Sequence, residues 1–178
     1  MPEEPVRLRP IEQADLDVLR RLDIDPSASE PFEWTGFRDP QARRRRWEED
    51  GWVGRDSAHL AVSLPDGTLA GIVNWRTIKV GGPEGGCLEI GALLFPEHRS
   101  RGLGTAAQRL LTEYLFATTL ANRLQAITDI ENVAEQRALE RIGFHREGMM
   151  RGLAFIGGRW RDGVLYARLR GDMTAPGD

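Results

Sequence analysis

Two arginines and two glycines at close spacing are the most chemically loaded residues of this chain. In Arg99-Ser100-Arg101-Gly102-Leu103-Gly104-Thr105 they stand between an apolar stretch and the start of a helical periodicity. A glycine-bearing loop that feeds a helix presents backbone N–H groups with no intrahelical acceptor, together with the positive end of the helix dipole. Glycines at 102 and 104 let the backbone approach an oxygen-rich ligand without a Cβ in the way. Arg99 and Arg101 add positive charge. The chemistry expected is the binding of a phosphate or pyrophosphate.

By spacing alone a plain strand-to-helix turn also fits this loop. So, formally, does a dinucleotide fingerprint, because Gly102-Leu103-Gly104-Thr105-Ala106-Ala107 reads G-x-G-x-x-A. That motif needs its glycines directly after a strand. Here the apolar stretch stops at Phe95-Pro96, and five polar residues, 97–101, intervene. A Walker-type loop is excluded, since no Gly-Lys-Ser/Thr is present.

The elements that must position the loop follow from periodicity. Residues 6–9 alternate as a short strand, and a helix opens after Pro10 with Leu16, Leu19 and Leu22 at helical spacing. Arg43–Arg46 beside Glu48, Glu49 and Asp50 read as an exposed helix laced with opposite charges. Residues 59–64 and 68–80 form a hairpin around Pro65-Asp66-Gly67. A glycine-rich loop at 81–86 precedes an apolar strand at 88–95. Leu103, Ala107, Leu110, Leu111 and Tyr114 then mark a helix face. Residues 124–130 are a further strand, 132–142 a short helix ended by Gly143, and 149–156 and 164–169 two closing strands. The pattern is α/β, an α+β mixed sheet with helices on both faces.

At 178 residues the chain has the size of one domain, 1–178. Its 40% hydrophobic and 29% charged content is near the globular average. A formal net charge of −3 argues against a general nucleic-acid binder. No apolar run approaches the roughly 20 residues that span a bilayer, so no membrane partner is expected. The start, MPEEPVRLRP, lacks a basic segment followed by an apolar one, which predicts a cytoplasmic protein. The lone Cys87 excludes an internal disulfide framework. His59, His98 and His145 have no ligand-like spacing, so no metal site is expected.

Arg99-x-x-Gly102-x-Gly104 after Pro96-Glu97 resembles motif A of the GCN5-related N-acetyltransferases, Q/R-x-x-G-x-G/A. Asn132-Val133-Ala134-Glu135-Gln136-Arg137-Ala138-Leu139-Glu140-Arg141-Ile142-Gly143-Phe144 is similar to the family's N-x-x-S-x-R-x-L-E-K-x-G-F block. Glu147-Gly148, Trp160-Arg161-Asp162 and Val164-Leu165-Tyr166 resemble the branch that acetylates ribosomal-protein N-termini. The resemblance is strong over residues 88–169 and weak before His59.

The resemblance implies a mostly antiparallel sheet whose fourth and fifth strands splay apart, with acetyl-CoA as co-substrate. Its pantetheine arm would lie between those strands, with Leu93, Leu94 and Phe95 as backbone partners. Arg99 and Arg101, Gly102, Leu103, Gly104 and Thr105 would hold the pyrophosphate, and Asn132 the arm. Asn132 also suits a helix N-cap. A neutral amine would attack the thioester directly, so an ammonium of pKa near ~10 must lose a proton and the departing thiolate gains one. Glu89 is the candidate base, or else the partner of a buried arginine, because an unpaired carboxylate in an apolar run is costly. Many members carry a tyrosine where Leu139 stands, which leaves Tyr166 as the candidate acid or a core residue. A non-catalytic acyl-CoA-binding protein on the same fold is the alternative.

The acceptor would be a small-molecule amine or a protein N-terminus. It would be met by a cap over residues 10–55, with the cofactor core at 88–170. Glu30, Glu33, Trp34, Phe37, Trp47 and Trp52 cluster in that cap. Glu33 and Trp34 are the candidate contacts to a cationic amine, through carboxylate and cation–π attraction. Packing of a helical cap is the other role open to these aromatics. A homodimer would be the commonest assembly.

Overall fold

The computed structural model describes residues 4–29, 31–54, 56–79 and 86–173, so Glu30 and most of the glycine-rich loop lie outside the described residues. Seven strands form one sheet: β1 (Arg7–Pro10), β2 (Ser57–Ser63), β3 (Leu69–Thr77), β4 (Cys87–Leu94), β5 (Arg123–Asp129), β6 (His145–Ile156) and β7 (Arg159–Leu169). Their order is β1-β2-β3-β4-β5-β7-β6. Every neighbouring pair is antiparallel except β4 and β5, which run parallel. The mixed, mostly antiparallel sheet is the architecture the sequence implies.

Helices cover both faces because each brings an apolar stripe to bury. On one face lies α4 (Leu103–Thr118), whose Leu103, Ala107, Leu111 and Leu115 pack on Val62, Val73, Ile90 and Leu124. Leu139 and Ile142, from and just beyond α5 (Val133–Arg141), join the same core. Tyr114, expected on this stripe, sits at its margin against Trp75, and Phe116 takes a buried place instead. On the other face α1 (Asp15–Leu19) and α2 (Arg21–Ile24) bury Leu16, Leu19 and Leu22 with Trp52, Ile72 and Phe95. Each such side chain contributes roughly 1.5–3 kcal/mol when fully buried.

The arginine run forms α3 (Ala42–Asp50), which buries no residue. Arg43, Arg44 and Arg45 face Asp23, Asp17 and Asp39 at 2.6, 3.3 and 2.5 Å. The run is therefore laced to carboxylates. Strands β6 and β7 begin several residues earlier than periodicity indicates. β6 is an edge strand exposed along most of its length, so no apolar alternation marks its start. Gly143, past the end of α5, has φ +83°, the left-handed turn that a terminating glycine supplies.

Candidate active site

The parallel ladder between β4 and β5 contains three pairs, Cys87↔Arg123, Leu88↔Leu124 and Glu89↔Gln125, and then stops. β4 continues to Leu94 along β3, and β5 to Asp129 along β7. Beyond Glu89 the two strands part and leave a slit with one unpaired strand edge on each side. Which β4 residues face the slit follows from the period of two. Ile78 N–H donates to Cys87 O and Phe95 N–H to Ala70 O, so odd-numbered residues of β4 turn their backbone groups toward β3. Even-numbered residues turn theirs to the slit. Leu94 is among them, but Leu93 and Phe95 are not, and Ala92 takes their place. This corrects the expected set of backbone partners.

At the open end of the slit, a turn at Pro96–His98 leads into Ser100 (φ +59°) and Gly102 (φ +76°), and then α4. Gly102 is the N-cap of α4 in left-handed conformation, and no side chain caps the helix. The first-turn N–H groups, Leu103, Gly104 and Thr105 included, lack intrahelical acceptors and are available to an anion. A Cβ built on Gly104 would meet only Leu94 Cδ1 at 3.5 Å, an ordinary contact. The protein's own packing therefore does not require glycine there, whereas a phosphate seated on the backbone does. Residues and geometry fit a pyrophosphate.

Of the two arginines, Arg101 is exposed at the loop and makes no ion pair or hydrogen bond among the described residues. Arg99 is engaged elsewhere. Its guanidinium donates to Leu94 O at 2.9 Å and to Ala28 O at 3.0 Å, tying the N-terminal cap to the end of β4. That geometry assigns it to the cap and not to the pyrophosphate. Asn132 caps α5, accepting from Glu135 N–H at 3.2 Å through Oδ1. Its amide nitrogen has no partner among the described residues, so it can serve an arm in the slit as well.

On the α1/α2 face, beside the unpaired edge of β4, lies a cavity of about 240 Å³. Ser29, Glu33, Trp34 and Arg38 of the cap line one wall, and His59, Asn74, Gly91 and Leu93 of the sheet the other. Glu33 and Trp34 thus line the same cavity. Glu33 is accessible to solvent, yet the walls of the cavity strip away enough water to raise its pKa, against the pull of Arg38 and Arg99. His59 is held neutral, its pKa lowered to about 4 by burial and by Arg46 and Arg43. The other aromatics divide. Trp47 and Trp52 donate to Ile11 O and Arg43 O and pack the cap, while Phe37 stands outside against Trp34.

The two residues expected to move protons are placed otherwise. Glu89 stands at the origin of the slit, where Arg76 Nε donates to Oε1 at 2.8 Å and Gln125 Nε2 to Oε2 at 3.0 Å. Both oxygens are engaged, so Glu89 clamps β3, β4 and β5 together; its arginine partner is exposed, not the buried one the sequence left open. Tyr166 is fully buried, and its hydroxyl donates to Glu140 at 2.9 Å. Burial and that bond raise its pKa, and the ring belongs to the core. Leu139 is fully buried too. No cluster of histidine, cysteine or carboxylate that could hold a metal occurs among the described residues.

The sequence reading missed Glu135 and Gln108. Gln108, fully buried in α4, donates to Glu135 at 3.3 Å across the gap between the two helices. Burial, opposed by that hydrogen bond and aided by the charge of Glu33, raises the Glu135 pKa to about 7. The signal was present: Glu135 stands where the N-x-x-S block carries serine.

Residues 6–145 match the family model described as an acetyltransferase (GNAT) domain. The spermidine N(1)-acetyltransferase of Escherichia coli (strain K12) is 28% identical over 161 residues, 89% of this chain and 83% of that protein. "Probable N-acetyltransferase YjcK" of Bacillus subtilis (strain 168) is 36% identical over 83 residues, 47% of this chain. That match spans 46% of YjcK, about half its length. The structure of a spermidine N-acetyltransferase from Vibrio cholerae in complex with CoA and spermine superposes with a TM-score of 0.81 at 19% identity, covering 97% of this chain and 100% of that one. It shares the fold.

Proposed function

Since the chain belongs to the GNAT acetyltransferase family, we propose that it transfers the acetyl group of acetyl-CoA to a primary amine of a small cationic molecule of the polyamine class, by direct attack with both substrates bound. The observation that carries this reading is the cavity against the free edge of β4, where the Glu33 carboxylate and the Trp34 ring share a lining with Arg38 and Arg43. Gly91, Ala92 and Leu93 line the cavity, and the backbone groups of Ala92 and Leu94 face the slit. An amine in the cavity and a thioester in the slit therefore meet across one strand.

The chain's residues divide the work by place. The uncapped start of α4, with Arg101, holds the pyrophosphate, and the even-numbered backbone of β4 with Asn132 aligns the arm. Glu33 draws an ammonium into the cavity, and Trp34 offers its ring to the cation. The raised pKa of Glu33 makes it a better proton acceptor than an ordinary carboxylate once the amine has bound, directly or through water. The cap at residues 10–55 thus serves the acceptor and residues 88–170 the cofactor. We place the reaction in the cytoplasm, where acetyl-CoA is available.

The test is thiol release from acetyl-CoA across polyamines, amino acids and peptides with free N-termini. Release with polyamines at the lowest KM is expected. Release with peptides alone would transfer the reading to protein N-termini. No release with any amine, while acetyl-CoA still raised the melting temperature, would leave an acyl-CoA-binding protein.

A further inference from the structure

We propose that Glu135 is the general acid of this enzyme, delivering a proton to the sulfur of CoA as the thioester breaks. The inference rests on the acetyltransferase reading above. It starts from position. Glu135 lies in the first turn of α5, on the residue whose N–H is capped by Asn132 at the end of β5. From the other side Gln108 reaches it, one turn into α4 beyond Gly104. The carboxyl is therefore enclosed by the two elements that receive the cofactor. It is also within electrostatic range of Glu33, which lines the acceptor cavity on the opposite face of the sheet. The acetyl group must sit where the cofactor slit meets that cavity, and Glu135, held between α4 and α5, is the carboxyl that feels the charge of the cavity's Glu33.

Its protonation state suits the task. Among the described residues no arginine, lysine or histidine pairs with Glu135. The groups acting on it are Gln108 from α4 and Glu33 from the cap, a hydrogen-bond donor and a like charge. With the pKa raised to about 7, a large share of the carboxyl carries its proton at neutral pH. Gln108 Oε1 is buried and unpartnered among the described residues. The sites where a hydroxyl acid was expected are closed, because Leu139 is apolar core and the Tyr166 hydroxyl is given to Glu140.

The proton balance closes without a further reactant. The amine nitrogen forms a bond to the acetyl carbon, and the carbon–sulfur bond breaks with its electron pair on sulfur. Sulfur takes the proton of Glu135, and the proton lost by nitrogen passes to Glu33 or to water. Return of one proton from solvent to Glu135 resets the site. A thiolate of pKa near ~8.5 gains from such a donor, and general acid catalysis contributes about 10²–10⁴-fold.

The experiment is the pH dependence of kcat for the wild type, Glu135→Gln and Gln108→Leu, with spermidine as the acceptor. The wild type should lose activity as pH rises through the titration of Glu135. Glu135→Gln should lower kcat by about 10²–10⁴-fold and abolish that alkaline limb, with both KM values within about twofold. Gln108→Leu removes the bond that favours the carboxylate, so its alkaline limb should move to higher pH. A Glu135→Gln enzyme with wild-type kcat and an unchanged limb overturns the proposal. If that variant does not fold, an unmoved limb in Gln108→Leu overturns it instead. A wild type that releases no thiol with any amine defeats the acetyltransferase reading, a result distinct from both.

Discussion

Replacing Gly104 with valine separates the cofactor's demand for glycine from the fold's. Glycine usually marks a backbone conformation closed to other residues, but Gly104 lies within α4 and has no positive φ. The nearest atom to a Cβ at this position is Leu94 Cδ1, at 3.5 Å. Valine is a better helix former than glycine by a few tenths of a kcal/mol, so the unliganded variant should melt within about 2 °C of wild type or slightly above it. Bound ligand gives the opposite result. For the wild type at a hundredfold excess of acetyl-CoA over Kd, binding stabilises by about 2.7 kcal/mol, which for a chain of this size is roughly 5–11 °C. The valine methyl groups fill the surface on which the pyrophosphate oxygens must rest, so that shift should vanish. Differential scanning fluorimetry with acetyl-CoA, and with NADH as the control, reads both quantities. A variant that melts far below wild type without ligand would show that the fold itself needs Gly104. An undiminished acetyl-CoA shift, or a shift with NADH alone, would refute the assignment of the α4 terminus to CoA.

Trp34→Ala should raise the KM for the acceptor amine and leave the KM for acetyl-CoA within about twofold, since its ring lines only the cavity; steady-state kinetics with each substrate varied in turn decides this, and equal rises would assign Trp34 to the fold. Glu89→Gln should lower the melting temperature by about 2–4 °C, the loss of roughly 1 kcal/mol from a partly exposed ion pair, without changing the shape of the pH–rate profile; a reshaped profile would return Glu89 to a proton-transfer role. Glu135→Gln should match wild-type stability near pH 4 and exceed it at pH 8. Burial raises the folded-state pKa from 4.5 to about 7, so stability present below the unfolded value is lost as pH rises through 7, by about 2–3 kcal/mol; equal melting curves at both pH values would contradict the shift.

The sequence carries the parts of this protein that are written locally. A turn of polar residues after Phe95, glycines at 102 and 104 and the stripe Leu103, Ala107, Leu111 specify the loop, its helix and the side the helix buries, because each is a short-range pattern. Glu33 and Trp34 were legible as a carboxylate and an aromatic in the one segment free to form a cap. What was not legible depended on pairing. Whether Leu93 or Ala92 faces the slit is a question of register against β3, and strand periodicity alone leaves both possible. Arg99 reads as a phosphate ligand until the fold brings Ala28, 71 residues away, within 3.0 Å. Glu135 was hidden for a related reason: on the helix it looks like a first-turn carboxylate complementing the dipole, and only the fold brings Gln108 of α4 against it.

The slit itself follows from how the strands are committed. β4 keeps seven paired residues with β3, and β5 seven with β7, whereas only three join β4 to β5. Each half of the sheet thus satisfies its backbone on the side away from the slit and follows its own twist. At the origin, Glu89 binds Arg76 of β3 and Gln125 of β5 and holds the two halves together where they separate. At the far end of β5, Asp129 is drawn the other way. Its carboxylate is gripped by Arg161 of β7, with side chains only 7% and 10% exposed, and Ile130 N–H donates to Asp162 O. A carboxylate clamp at one end and a nearly buried ion pair at the other fix where the strands part and how far β5 departs. The backbone groups of Ala92 and the N–H of Leu94 can be left without strand partners because the slit admits water until an amide-bearing arm replaces it, while Leu94 O is met by Arg99. In this way an opening in the sheet, ordinarily a defect, comes to lie between the α4 terminus and the cavity of Glu33.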